Sequence, residues 1–248
     1  MGSLYLLIDL LVISIPFAFS WHPRIRFVDE WKSFWPACFG VLVFFVLWDS
    51  LFTTSGIWGF DDRFLVGASF LKLPVEEWLF FVCIPYACVF TYFVARQTWP
   101  LPLSASLPSR AVVALILVLS LILALTHVER LYTLTACSLA AAYSAWLLFR
   151  PPTWLSRMLK AQAVLAIPFV LTNGILTGLM FWTSPVIMTN PDLITEHIVW
   201  YNNAHNLAIR FFTIPFDDFF YAFALIGLNI STFEFIRERR SRNNSKDT

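Results

Sequence analysis

Charge is scarce in this chain. Asp, Glu, Lys and Arg make up 13% of its 248 residues, about half the share in a soluble globular domain. Glycine is scarce too, with eight in all. None of them builds a phosphate-cradling loop or a dinucleotide fingerprint, so nucleotide-dependent chemistry has no support. The four histidines, His22, His127, His197 and His205, lack metal-ligand spacing, and no metal is expected. The four cysteines, Cys38, Cys83, Cys88 and Cys137, all fall inside apolar stretches. They read as small buried hydrophobes, not as disulfides or a metal set. No lysine lies deep in an apolar run, which argues against a retinal Schiff base.

What the chain has is apolar surface: 58% of its residues are hydrophobic and 18% aromatic. That composition belongs to an integral membrane protein. Seven runs are long enough to be read as spans, over 3–20, 33–53, 74–95, 110–127, 131–149, 159–182 and 214–236. The first is short for a span. It is not read as a cleavable leader, because it has no basic start and a hairpin partner follows directly.

Basic residues are unevenly shared. If the spans alternate, 13 of the 17 Lys and Arg fall on one side. Only Arg63, Lys72, Arg130 and Arg210 fall on the other. The positive-inside rule then puts the N-terminus outside the cell membrane and the C-terminus in the cytoplasm. The basic stretch 237–246 reads as part of this topology signal, with no nucleic-acid partner implied. Residues 241–248 are expected to be disordered.

Two stretches carry the chemistry. Leu73-Pro74-Val75-Glu76-Glu77-Trp78-Leu79-Phe80 returns as Ile214-Pro215-Phe216-Asp217-Asp218-Phe219-Phe220-Tyr221. Each copy sets two adjacent acids behind a proline at the mouth of an apolar helix. Acids in a membrane helix are costly and mark function by default. The plain alternative is that proline opens the helix and the acids cap it.

The repeat extends upstream. Asp49-Ser50-Leu51-Phe52-Thr53 aligns with Asn173-Gly174-Ile175-Leu176-Thr177, and Trp58 with Trp182. Gly59-Phe60-Asp61-Asp62 aligns with Trp200-Tyr201-Asn202-Asn203, and segment 183–199 is extra. The expected fold is an all-α membrane protein: seven transmembrane helices as two parallel three-helix repeats joined by a linker helix. A unit of three spans would invert its copy, and one added helix restores the orientation. The units are 1–95 and 131–236, with a linker and fourth helix over 96–130 and a basic tail over 237–248.

This topology gathers Asp9, Asp49, Asp61, Asp62, Glu76, Glu77, Asn173, Asn202, Asn203, His205, Asn206, Asp217 and Asp218 at one end of the bundle. Groups held near lipid must meet one another or water, so a shared pocket is the economical arrangement. Neighbours on a helix point about 100° apart, so at most one acid of each pair squarely faces a given partner. A buried carboxyl beside another tends to keep its proton and can act as a general acid, its ionised neighbour as a base. Surrounding tryptophans such as Trp58 could shield a cation with their faces, or simply anchor the interface. His205 could tune an acid, or serve as a hydrogen-bonding interface histidine. A dry acid among aromatics suits protonation of an alkene better than a hydrolysis.

At this point the chain resembles the small integral-membrane lycopene cyclases built from two related three-helix units. The resemblance rests on Trp48-Asp49, Gly56-Ile57-Trp58-Gly59-Phe60, Pro74-Val75-Glu76-Glu77-Trp78 and Cys83-Ile84-Pro85-Tyr86. In the second unit it rests on Asn173-Gly174-Ile175-Leu176-Thr177-Gly178, Val199-Trp200-Tyr201-Asn202-Asn203-Ala204, Ile209-Arg210 and Thr213-Ile214-Pro215. It covers most of 34–230, with the two units fused through the fourth helix. The family's second acidic motif usually reads Pro-x-Glu-Asp. Here it is Asp217-Asp218, one methylene shorter at Asp217.

The resemblance implies a lycopene β-cyclase of carotenoid biosynthesis that closes β-ionone ends to give β-carotene through γ-carotene. Its partners would be lycopene and membrane lipids. It would be an isomerase of the intramolecular-lyase kind, with no cofactor because nothing is oxidised overall. Glu76 or Glu77 would supply the acid, Asp217 or Asp218 its partner or base, with Asn173, Asn202 and Asn203 holding them. The rival is a parallel-repeat transporter of three, one and three helices, whose polar groups belong at the midplane.

Overall fold

A computed structural model describes residues 2–98, 106–181 and 185–244. Seven α-helices carry the fold: α1 (Leu4–Phe19), α2 (Trp31–Thr54), α3 (Val75–Thr98), α4 (Leu107–Thr126), α5 (Leu131–Phe149), α6 (Leu155–Leu176) and α7 (Phe216–Asn244). Six are long and apolar enough to cross a bilayer, and α1, at 16 residues, is shorter. The chain is an all-α membrane protein.

Helix starts follow the sequence. Pro74 and Pro215 stand immediately before α3 and α7. Ser106 caps α4, its Oγ accepting the Ser109 N–H, with Pro108 in the first turn. The third helix sits centrally against α1, α2, α6 and α7, whereas α4 packs on α5 and leaves most of its surface to lipid.

Between α2 and α3, and again between α6 and α7, the chain makes short strands at one end of the bundle. Strand β1 (Trp58–Phe60) pairs antiparallel with β5 (Val199–Tyr201), with Gly59 opposite Trp200. Hairpin β2 (Ser69–Phe70) to β3 (Leu73–Pro74) leads into α3. Its counterpart, β6 (Arg210–Phe211) to β7 (Ile214–Pro215), leads into α7, and β4 (Ile187–Met188) pairs with β6. Leu71 and Lys72 both take positive φ, 53° and 66°, as a two-residue turn of the I′ kind requires.

The opposite end is locked by charge. The buried Glu234 carboxylate accepts the Tyr92 hydroxyl at 2.6 Å and faces Arg237 at 3.4 Å and Arg96 at 3.6 Å. Arg237 also pairs with Glu30, the residue just before α2, at 2.8 Å, so the start of α2 is tied to α3 and α7 there.

Three expectations change. The sixth helix begins at Leu155 and stops at Leu176 instead of running to 182. Gly178, with φ of 112°, turns the chain, and a Cβ there would come within 2.4 Å of the Glu196 carbonyl oxygen. Residues 241–244, expected to be disordered, form the end of α7. The strands were not foreseen, since pieces of two or three residues leave no alternation to read. Trp182, residues 99–105 of the expected linker and residues 245–248 of the tail lie outside the described residues.

Candidate active site

The acids do converge at one end. A cavity of about 80 Å³ lies between the two halves of the chain, and both Glu77 and Asp218 line it. Asp49, Asn173 and Trp58 line it too, with Phe60 and Phe80 among its apolar walls. Glu77, Asp218 and Asp49 are all buried.

Within each acidic pair the two side chains part company, as a 100° step demands. The first acid turns back to the loop before its helix. Glu76 Oε1 accepts the Val66 N–H at 2.6 Å, and Asp217 Oδ2 accepts the Leu207 N–H at 3.1 Å. Each donor lies ten residues before its acid. Asp217 also accepts the Thr133 hydroxyl, so the shorter side chain reaches its partners. The second acid of each pair enters the cavity.

There the two halves use parallel parts. Tyr5, at the start of α1, donates to Glu77 Oε2 at 2.6 Å. Tyr132, at the start of α5, donates to Asp218 Oδ1 at 2.6 Å. From α2, Asp49 lies within hydrogen-bond reach of Glu77. From α6, the aligned Asn173 donates to Asp218 Oδ2 at 2.7 Å.

The chemistry nonetheless differs. Two neighbouring carboxyls that approach this closely suit a shared proton, so the Asp49–Glu77 pairing is built to act as a proton-holding couple. Asp218 receives three donors, the third being the Tyr201 hydroxyl at 3.0 Å, an arrangement that suits a carboxylate. Tyr221, one turn beyond Asp218, donates to Asp49 at 3.1 Å and joins the halves.

Other expected site residues stand apart. Asn202 donates to the Gly56 carbonyl and accepts the Ala204 N–H. Asn203 donates to Asp192 and accepts from Arg210 at 2.8 Å. Neither side chain is a hydrogen-bond partner of Glu76, Glu77, Asp217 or Asp218; their bonds order the loop layer. His205 uses its backbone carbonyl to receive the Tyr132 and Thr133 N–H groups, which seats the start of α5. The ring nitrogen Nδ1 of His205 is buried without a hydrogen-bond partner among the described residues. Sequence reasoning missed Tyr5, Tyr132, Tyr201 and Tyr221. Their one sequence signal is that Tyr5 and Tyr132 open the first helix of each unit.

The loop layer above the cavity carries its own electrostatics. Arg63 pairs with Asp61 at 2.6 Å and with Glu196 at 2.9 Å, bridging the two loops. Hydrogen bonding from Arg63 holds Asp61 below the usual carboxylate range. Burial pulls His197 below its ordinary value, and nearby Asp61 opposes this only in part. Arg210 is buried with its guanidinium carbon 5.2 Å from the Tyr201 ring centre. Burial lowers its affinity for the proton, which Asp218 opposes.

A family model described as lycopene cyclase matches residues 2–95 and 129–236. Neither the curated proteins nor the solved structures yield a match.

Proposed function

The chain belongs to the lycopene cyclase family, and we propose that it closes β-ionone rings on the ends of lycopene by proton transfer across the shared cavity. Membership supports a cyclising enzyme of carotenoid biosynthesis working in a membrane. The observation that carries the finer reading is that a proton-holding couple, Glu77 with Asp49, and a carboxylate given three donors, Asp218, line one apolar cavity.

The steps follow from these parts. Glu77 gives its proton to the terminal double bond: the O–H bond breaks, a C–H bond forms, and a tertiary cation results. The neighbouring alkene attacks, closing a six-membered ring and moving the positive charge into it. Asp218 takes a proton from the adjacent carbon, leaving the β double bond. The faces of Trp58, Phe60 and Phe80 offer the cation negative charge density without a nucleophile. Electrons and atoms balance within the substrate, so the reaction is a non-redox isomerisation. One closed end gives γ-carotene and two give β-carotene.

Glu76 and Asp217 act as positioning residues that hold the loops over the cavity. Matching loop donors, matching tyrosines and the Asp49/Asn173 correspondence support two parallel three-helix units, 1–95 and 131–236, joined through α4. The distribution of basic residues supports an N-terminus outside and a cytoplasmic tail.

The test is chromatography of carotenoids formed from lycopene by the purified protein without added nucleotide. β-Carotene is expected, preceded by γ-carotene. Glu77→Gln should lower the rate by ~10²-fold or more, the usual worth of a general acid. Full-rate cyclisation by E77Q would overturn the acid assignment.

A further inference from the structure

A long polyene cannot fit its length into a cavity of about 80 Å³, so at most one end can react there. The rest of the molecule must leave by some opening, and the seam between α6 and α7 provides one. A second space of about 120 Å³ lies along that seam and shares Phe169, Ala222 and Ile226 with the walls of the cavity. It continues away from the acids along α6 from Phe169 to Gln162, a distance of ~10 Å at the rise of an α-helix.

The seam is fastened at both ends and thin between them. Near the acids, the rings of Phe169 and Phe219 meet at 5.2 Å. At the far end, the Gln162 amide donates to the Phe223 carbonyl at 3.1 Å. Between these ties the lining includes Ala166 on α6 and Ala222 on α7. Ala166 is exposed on the membrane-facing side. Two methyl side chains leave a slot where larger residues would have closed the helices together.

We propose that this slot between α6 and α7 holds the uncyclised length of the polyene and admits it sideways from the bilayer. This rests on the cavity being the cyclisation site. The slot fits that occupant because its lining is mostly apolar, Ala166 within it is exposed, and it shares Phe169, Ala222 and Ile226 with the cavity where the end group would react. An alkyl chain of a bilayer lipid could enter the same slot, but nothing would hold its end at the acids.

Filling the slot tests this. In lycopene-producing cells, the series Ala166→Val, Ala166→Leu and Ala166→Phe should lose activity progressively, as should the same series at Ala222. The largest residue should cost about tenfold or more, as pocket steric changes do. The same series at Ile167, a lipid-facing neighbour outside the slot, should show no trend.

Binding is read separately. E77Q protein should carry unreacted lycopene through purification. E77Q with A166F, or with A222F, should carry much less at equal protein level in the membrane. Parental activity and parental bound polyene in the A166F and A222F proteins would overturn the slot. An active E77Q would overturn the acid assignment instead and leave the slot to the activity series.

Discussion

At the scale of single residues, the two members of each acidic pair should separate by experiment. Glu76→Gln keeps an oxygen for the Val66 N–H, so E76Q should retain most cyclase activity where E77Q does not. Glu76→Ala orphans that donor and should cost about 1–3 kcal/mol of stability, read as a lower melting temperature in detergent. Asp49→Asn turns the couple into the kind of contact that Asn173 already makes. It should slow lycopene turnover by ~10²-fold, the scale of general acid catalysis, while leaving the fold intact. The acids were legible in the sequence because a carboxyl in an apolar run is expensive and a duplicated one is doubly so. The tyrosines were not. A lone Tyr at the start of a membrane helix looks the same whether it anchors the interface or, like Tyr5 and Tyr132, bonds a carboxylate. Asn202 and Asn203 show the converse: alignment put them opposite Asp61 and Asp62, but their side chains meet loop partners, the Gly56 carbonyl and Ala204 N–H for Asn202 and Asp192 and Arg210 for Asn203.

At the scale of elements, the β1–β5 pair is the most sensitive joint. A Cβ on Gly59 would come within 2.3 Å of the Trp200 ring. Gly59→Ala should therefore spread the two loops and destabilise the protein by about 1–3 kcal/mol, the cost of overpacking. Activity should fall with it, because Trp58 and Tyr201 line the cavity from these strands. The same layer should respond to acid. His197 has a folded pKa below its unfolded value near 6.5. Its contribution is complete at higher pH and shrinks as pH falls below that value, because the unfolded chain takes the proton first. Asp61, also held low, adds a second loss only as pH drops below about 4. Limited proteolysis of the loops should accelerate from about pH 6.5 downwards, and His197→Gln should remove that first phase. The helices were legible to within a few residues because apolar length is the signal of a span. The sixth slipped because its apolar run continues past the Thr177–Gly178 break.

At the scale of the whole molecule, the four native cysteines are buried, so an introduced thiol can report sidedness cleanly. With the orientation proposed, Val66→Cys should react with a membrane-impermeant maleimide on intact cells. Ser241→Cys should react only after permeabilisation. Reversal of both results would invert the topology and leave the site chemistry untouched. Two matching acidic motifs were visible in the sequence. That the second acids of both motifs would line one cavity needed coordinates, since the decisive contacts join α1 to α3, α5 to α7 and α2 to α7.

That convergence has a kinetic consequence. Under the proposed function, and among the described residues, two acidic motifs on one cavity give a substrate with two ends one place to react. If both ends are closed, as proposed, a carotenoid with one ring would have to back out, turn end for end in the lipid and return tail first. Its dwell time in the bilayer, set by bilayer thickness and fluidity, should then govern how much one-ringed product accumulates.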